Sequence, residues 1–388
     1  MAEPQDYVGR EQMWVKHWML QRYLEQLIFK VGQGRSNWRR FVYIDAYAGP
    51  WQSQTQDLSD TSFGSALRVM RSCQDRLDEL GRQIPMHAVF FELNKLRAAR
   101  LINYAEENST PRLTINAYKG DFMDHIDAVA GQLRDDDFAF VLIDPTGYKD
   151  LVPERLAPLL RRRGVEVLIN LMWDFINRFW DTDKAPVLDK LFGSNRRERC
   201  GSEQREHDAS QLYGHRLREV AGYAGGRLYA ATFPVQHPAK DRTHYFLIYA
   251  THAPVGLLTF DAVAEATWQE QALTKAKSAV RRQSDATPDL FGGAVHAVQY
   301  ERPINGETLR NAWLKRFPVT GSEIVVTADV MAQLLEECGC LSNDLQVALK
   351  RLIEQGVIEN ASIDEVSLRR RKKNVVQIEK RERLRRLR

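Results

Sequence analysis

The chain has 388 residues, of which 44% are hydrophobic and 27% are charged, and its formal net charge is +4. This length suits about two globular domains with a sizeable core, and four cysteines without paired spacing exclude a disulfide framework and predict no metal site. No apolar run approaches the roughly 20 residues that cross a bilayer, and no basic segment precedes an apolar one at the N-terminus, so we expect a cytoplasmic protein without a membrane partner.

The first predicted elements are an amphipathic helix and a buried strand. Apolar residues recur at helical spacing over residues 10–31, where Lys16 and His17 could face a ligand crevice but are expected to form a solvent-exposed pair. The apolar run from Phe41 ends in Asp45 and breaks into a turn at Gly49. In α/β sheets ligands bind beyond the carboxyl ends of the strands, and glycine lets the backbone approach a ligand closely. The alternative is that Gly-Pro after a strand only ends the strand and begins a loop, without any role in ligand binding.

The next three predicted strands also lead into acidic residues. The strands cover residues 86–91, 113–118 and 138–143, and they are followed by Glu92, Asp121 and Asp144. Helices are predicted over residues 62–80 and 95–107. A packed α/β sheet needs no carboxylates at strand ends, so their recurrence indicates a ligand-binding edge. The fourth strand is apolar throughout, which predicts a central position in a parallel sheet.

These acids suit the parts of an adenosine-containing ligand. A carboxylate after the second strand can accept hydrogen bonds from both ribose hydroxyls, which is the place of Glu92. Asp121 can accept from an adenine amino group while Phe122 packs on the ring. Asp144 is costly to bury at the end of so apolar a strand unless it faces a ligand or a cation; the alternative is that it caps the following helix.

The remainder of the first domain completes the predicted sheet. A fifth strand covers residues 165–172, and strands at 228–235 and 245–250 pair as a hairpin on one edge, which gives about seven strands. Residues 181–226 form a polar, helical insertion that either grips substrate or caps the domain with a solvated face; its arginines are Arg196, Arg197, Arg199 and Arg205. A helix over 260–280 closes the domain, and residues 281–305 form a linker.

Residues 306–388 are expected to form a second domain of the winged-helix type. Helices over 306–317, 327–338 and 341–354 precede extended segments at 357–359 and 375–378, a helix-turn-helix-ribbon order. Residues 361–388 hold eleven Lys or Arg and four Asp or Glu, so the first 360 residues carry a net charge of −3. We expect the basic run to bind nucleic acid, although basic ends are also often solvated helix faces. The run consists of Arg369, Arg370, Arg371, Lys372 and Lys373.

Five motifs of the first domain resemble the three-Cys-motif partner (TcmP) family. They are residues 44–50, 90–94, 120–122, 143–147 and 245–251. That family is similar to class I S-adenosylmethionine-dependent methyltransferases, and the likeness covers roughly residues 5–280. It implies a Rossmann-like α/β fold over residues 1–280, S-adenosylmethionine as the cofactor, and a three-Cys-motif partner protein that resembles radical S-adenosylmethionine enzymes.

The methyltransferase likeness also implies roles for single residues. It implies that Asp45, Tyr47, Ala48 and Gly49 bind the methionine end of the cofactor and that Glu92 binds the ribose. It also implies that Asp121 and Phe122 bind adenine and that Asp144 lies at the reacting edge. Trp51 stands where the pattern usually has a second glycine, which narrows the loop. The segment from Asp144 to Tyr148 resembles the Asp-Pro-Pro-Tyr of amino-group methyltransferases, but it lacks the second proline and its aromatic residue is displaced by one.

Three functions follow as hypotheses. The first is methyl transfer to a base amino group of nucleic acid: Asp144 would accept a hydrogen bond from the amine, and Tyr148 or Trp173 would stack on a flipped or single-stranded base. The second is a noncatalytic adaptor that recruits the partner protein to nucleic acid, which Trp51 and the altered fourth motif favour. A nicotinamide-dependent oxidoreductase is disfavoured, because the first turn lacks Gly-x-Gly-x-x-Gly and no Tyr-x-x-x-Lys pair follows.

Overall fold

The computed structural model describes residues 7–33, 37–49, 60–182, 185–201, 204–223, 225–286, 305–371 and 374–388. The chain divides into two compact units. One comprises Met1–His252 with Ala266–Gln299, and the other comprises Ala253–Glu265 with Tyr300–Arg388. Within the described ranges, no helix has the length and apolar character needed to span a membrane.

The larger unit is built on a seven-stranded sheet. Its strands are β1 (Arg40–Asp45), β2 (Met86–Glu92), β3 (Leu113–Lys119), β4 (Asp137–Ile143), β5 (Val165–Leu171), β6 (Tyr229–Gln236) and β7 (Thr243–Thr251). They lie in the order β3-β2-β1-β4-β5-β7-β6. The first five strands pair in parallel, whereas β7 is antiparallel to both β5 and β6. The predicted mixed α/β class, with a mostly parallel Rossmann-like sheet and an antiparallel edge, is confirmed.

In the described part of the chain, one helix precedes the first strand, and four helices connect the parallel strands. They are α1 (Glu11–Gly32), α2 (Ser62–Glu79), α3 (Lys95–Asn108), α4 (Phe122–Gln132) and α5 (Pro153–Leu160). Three of them begin at a side-chain cap, because Thr61, Asn94 and Asp121 accept hydrogen bonds from backbone N–H groups in the first turn of α2, α3 and α4. These caps set where the chain turns at the carboxyl ends of β2 and β3.

The predicted insertion is helical, and it contributes to the core. It contains α7 (Ala185–Phe192), α8 (Arg196–Arg199) and α9 (Arg205–Ala221), which follow α6 (Trp173–Phe179). Arg196 is buried: its Nε lies 3.1 Å from Asp189 Oδ1, and its guanidinium lies over the Trp180 ring. Arg205 pairs with Asp181 at 3.2 Å. Two of the four clustered arginines are therefore engaged within the fold.

The helix that closes the larger unit is longer than predicted at both ends. This helix, α10, spans Pro254–Ala286, so the first six residues of the predicted linker are helical. Residues 287–304 lie outside the described part of the chain.

The smaller unit combines helices with a three-stranded sheet. Its elements after α10 are α11 (Gly306–Leu314), β8 (Glu323–Val325), α12 (Ala328–Cys338), α13 (Ser342–Glu354), β9 (Ile358–Asn360), α14 (Glu365–Arg369) and β10 (Arg383–Arg386). The antiparallel sheet has the order β8-β10-β9. The prediction of an extended ribbon at 375–378 is wrong, because the strand that pairs with β9 is β10, whose Leu384 is buried beneath exposed arginines.

The N-terminus of α13 is capped by a residue distant in sequence. Leu341, which precedes the helix, has no side chain that can accept a hydrogen bond. Instead, the Asp261 carboxylate accepts from the backbone N–H of Ser342, at 3.1 Å to Oδ2. Asp261 belongs to the segment of α10 that forms part of the smaller unit. The start of α13 therefore depends on a carboxylate supplied by α10.

Candidate functional site

A cavity of about 770 Å³ lies at the carboxyl ends of the five parallel strands. The residues that follow the strands and line it include Tyr47, Gly49, Glu92, Asp121, Asp144 and Asn170. The other wall comes from α1 and the residue before it, which contribute Arg10, Met13, Lys16 and His17. Parallel strands place their carboxyl ends at one edge of a sheet, which is why residues so distant in sequence meet here.

The ends of β2 and β3 bring together the residues predicted for ribose and adenine. Glu92 is largely buried, and its Oε1 accepts a hydrogen bond from Asn94 N at 2.6 Å. Asp121 Oδ1 accepts from Met123 N at 2.9 Å, and Phe122 packs edge-on against Phe91 with ring centroids 5.2 Å apart. All three predicted residues line the same cavity.

The end of β1 is arranged differently from the prediction. Asp45 is fully buried and does not line the cavity; its carboxylate accepts from Ser62 Oγ at 2.6 Å and from Tyr47 N at 3.2 Å. Burial raises the pKa of Asp45 to about 6, against the lowering effect of the Ser62 hydrogen bond. Ala48 is also behind the cavity wall, with its N–H donating to the Phe91 carbonyl at 2.9 Å. Of the four residues predicted here, the cavity receives Tyr47 and Gly49.

Asp144 lines the cavity and is held from two sides. Its Oδ2 pairs with Lys16 Nζ, and its Oδ1 accepts from Asn170 Nδ2 at 2.5 Å. Burial alone would raise the pKa of Asp144, but the Lys16 charge and the hydrogen bonds from Lys16 and Asn170 outweigh it and hold the pKa below its usual range. Asp144 is therefore an ionised carboxylate with a cation beside it.

The expectation that Lys16 and His17 form a solvent-exposed pair is wrong. Both side chains are buried, and both line the cavity. His17 Nδ1 lies 2.9 Å from the Tyr7 hydroxyl, and burial together with the Lys16 charge lowers the pKa of His17 to about 3, so the imidazole is neutral at pH 7. Helical spacing could not find these residues, because α1 is buried around most of its circumference.

The aromatic residues proposed for base stacking lie elsewhere. Tyr148 and Trp173 are buried in the hydrophobic core, and neither lines the cavity. The predicted catalytic role of Tyr148 is therefore not supported by its position, since its side chain is part of the hydrophobic core and not of the cavity wall. Trp51 lies outside the described residues.

The basic run of the smaller unit is only partly exposed. Arg369 and Arg370, at the end of α14, are exposed. Arg371 instead pairs with the buried Glu382, at 2.5 Å between Nη2 and Oε1. The prediction that Arg371 contacts phosphate is therefore replaced by a structural role. Lys372 and Lys373 lie outside the described residues.

In the parts of the chain that the structure describes, no group of three or more His, Cys, Asp or Glu side chains could hold a metal ion. The candidate ligand site is the cavity at the strand ends together with its α1 wall.

Comparison with known proteins identifies no family. No family model matches the chain, and no curated protein matches it. Among solved structures, protein LPL1258 from Legionella pneumophila str. Philadelphia 1, described by the family model DUF519, is similar with 11% sequence identity and a TM-score of 0.37. The match covers 70% of this chain and 90% of that chain. A likeness of this degree carries no statement about function.

Proposed function

We propose that the chain binds S-adenosylmethionine in the strand-end cavity and transfers its methyl group to a base amino group of nucleic acid, DNA or RNA. The observation that carries this proposal is the convergence of Glu92, Asp121 and Asp144, from three successive strand ends, in one cavity. Its volume of about 770 Å³ falls within the range of small-molecule sites. The methyltransferase likeness implies a seven-stranded, mostly parallel sheet with an antiparallel edge, and the observed sheet has this composition.

The residues present fit the cofactor. Glu92 would accept hydrogen bonds from the ribose hydroxyls, Asp121 from the adenine amino group, and Phe122 would contact the ring. Asn170 Oδ1 is a buried acceptor on the cavity wall without a partner among the described residues, so it can take a hydrogen bond from a ligand.

The chain's own contribution to the reaction is orientation. When bound, S-adenosylmethionine supplies an electrophilic methyl group on its sulfonium. Asp144 would accept a hydrogen bond from the incoming amine and aim its lone pair, while Lys16 and Asn170 hold the carboxylate in place. Each carboxylate oxygen has more than one lone-pair direction, so both contacts can persist while the amine binds.

Two observations support a noncatalytic adaptor as the second candidate. Tyr148 is buried outside the cavity, and the charge of Asp144 is already neutralised by Lys16. In this function the larger unit binds the cofactor or nothing, and the smaller unit brings a three-Cys-motif partner protein to nucleic acid. The TcmP resemblance supports such a partner under either function.

The smaller unit supports the nucleic-acid part of the proposal. Apart from the short α14 between β9 and β10, its order of helix, strand, two helices and two strands, with an antiparallel sheet, fits a winged helix, and the connection between β9 and β10 would be the wing. Replacing Arg369 and Arg370 by Gln should flatten the slope of log affinity against log salt by roughly one for each phosphate that is no longer neutralised. An unchanged slope would show that these arginines do not bind phosphate.

Isothermal titration with S-adenosylmethionine and NAD tests the cofactor. We expect S-adenosylmethionine to bind and NAD not to bind, and Glu92→Ala to weaken the complex by about 1 to 3 kcal/mol, because the ribose hydroxyls lose a charged partner. Glu106→Ala, an exposed acid on α3, is the matched control. Equal affinity in a folded Glu92→Ala protein would refute the assignment.

Mass spectrometry of nucleic acid tests the reaction. The comparison is between cells with and without this protein, both of which contain the partner protein. We expect a methylated base among the nucleosides of the first cells that is missing from the second. Cofactor binding without any such difference would favour the adaptor.

A further inference from the structure

We infer that the α1 wall, through Lys16 and Arg10, grips the amino-acid end of the cofactor, in place of the acid at the end of β1. This inference rests on the proposed function, because it assigns one end of the same cavity. The chemical group that this end of the cavity would bind is an α-amino acid zwitterion, which carries one carboxylate and one ammonium group.

The β1 end lacks the group that the sequence assigned to this task. Asp45 is turned away from the cavity, where Ser62 Oγ and Tyr47 N occupy its carboxylate. Ala48 is also outside the wall. The charged end of the ligand must therefore be met by other residues, since a buried charge without a partner is costly.

Lys16 has the donors for a carboxylate. Its side chain is only 9% exposed, it lines the cavity, and its ammonium pairs with Asp144. An ammonium has three N–H donors, and among the described residues Lys16 donates to Asp144 alone. Two donors therefore remain for a ligand carboxylate.

A second pair on the same wall repeats this arrangement. Arg10 lies 3.5 Å from Asp60, whose side chain is fully buried, and both residues line the same cavity. Two cation–acid pairs thus lie on the α1 side, whereas Glu92 and Asp121 occupy the ends of β2 and β3. A ligand with adenine at β3 and ribose at β2 extends across β1 toward β4 and α1, so its amino-acid end meets these pairs.

The α1 wall is fixed in place by contacts on its other faces. Trp14 Nε1 donates to Glu270 at 2.8 Å, and the Tyr23 hydroxyl donates to Glu166 at 2.6 Å. Lys16 is therefore presented by a helix that is anchored at several points, which lowers the entropy lost when a ligand binds.

Ligands that lack parts of the amino acid test the inference in the full chain. Isothermal titration compares S-adenosylmethionine, its decarboxylated form and 5′-methylthioadenosine on the wild type, Lys16→Met and the control Lys30→Met. Lys30 is an exposed lysine on the same helix. The wild type and Lys30→Met should prefer S-adenosylmethionine over the decarboxylated form by about tenfold or more.

In Lys16→Met that preference should fall to within about threefold, while the affinity for 5′-methylthioadenosine stays within about threefold of wild type. The inference is overturned if the wild type does not prefer S-adenosylmethionine over its decarboxylated form. It is also overturned if Lys16→Met keeps that preference. An equal loss of affinity for all three ligands in Lys16→Met also overturns the inference, because the lysine then supports the cavity as a whole.

Failure of the proposed function has a different signature: the wild type binds none of the three ligands, which overturns both proposals. If Lys16→Met does not fold, Lys16→Arg replaces it, because the guanidinium keeps a cation beside Asp144 but moves the donors. The preference must then shrink by about threefold or more, and an unchanged preference overturns the inference.

Discussion

The ion pair between Arg371 and Glu382 predicts that one arginine of the basic run is needed for stability. Glu382 is buried, and its carboxylate accepts from Arg371 at 2.5 and 2.8 Å, from Asn360 Nδ2 at 3.0 Å and from Gln377 N at 2.9 Å. Burial alone would raise the pKa of Glu382, but these hydrogen bonds, led by those of Arg371, lower it to about 2 from an ordinary 4.5. Arg371→Gln therefore leaves a buried carboxylate without its cation.

The lowered pKa sets the size of the effect. A folded-state pKa of about 2 against 4.5 corresponds to about 3 kcal/mol of stability at neutral pH. Because the folded value is depressed, this stability is fully present above pH 4.5 and is lost as the pH falls toward 2. We expect Arg371→Gln to cost about 2 to 3 kcal/mol at neutral pH, and the difference from wild type to close between pH 4.5 and 2.

Amide hydrogen exchange, followed by mass spectrometry on peptides from residues 357–386 of the full chain, measures this locally. Arg370→Gln is the control, because Arg370 is the exposed neighbour in the same run and should change stability by less than about 0.5 kcal/mol. Equal protection of the two variants at neutral pH would refute the argument.

Three further predictions concern the larger unit. Asp144→Asn should lower methyl transfer by about 10²-fold or more while the cofactor still binds; a fully active variant would favour the adaptor. Asp45→Asn keeps one acceptor, for Tyr47 N, and turns an amide donor toward the Ser62 hydroxyl, which can also accept. Because burial raises the folded-state pKa of Asp45 to about 6, the stability of the wild type relative to this variant should fall as the pH rises from 3.8 to 6, which urea midpoints of the two proteins measure. Gly164→Ala places a Cβ 2.6 Å from the Asp137 carbonyl and 2.8 Å from the Trp38 ring, so it should cost about 1 to 3 kcal/mol in urea denaturation. Gly131→Ala, with open space at its Cβ, should not destabilise.

The sheet was predictable because its strands carry a strong signal. The largely apolar sequences of β4 and β5 predict burial on both faces, as is typical of central strands in a parallel sheet, and every residue of these strands is buried. Acidic strand ends likewise predicted that Glu92, Asp121 and Asp144 would meet, because topology alone brings those positions to one edge.

The predictions that were wrong depended on the direction of side chains and on the position of short strands. The sequence shows that Asp45 ends a strand, but Ser62, 17 residues away, decides where its carboxylate points. Tyr148 follows Asp144 closely in the sequence, but its side chain belongs to the hydrophobic core, which the motif alone does not specify. Strand β10 was missed because Arg383–Arg386 reads as a charged tail, with Leu384 as its one apolar signal.

The cap that Asp261 provides for α13 has a consequence for the modularity of the chain. The smaller unit is discontinuous, since Ala253–Glu265 belongs to it although the residues that follow belong to the larger unit. A gene fragment that begins after the linker would encode α13 without the carboxylate that receives the Ser342 N–H. A single cut after the linker would therefore separate the C-terminal region from a helical segment that belongs to its own compact unit, whereas a cut before Ala253 would keep the two together.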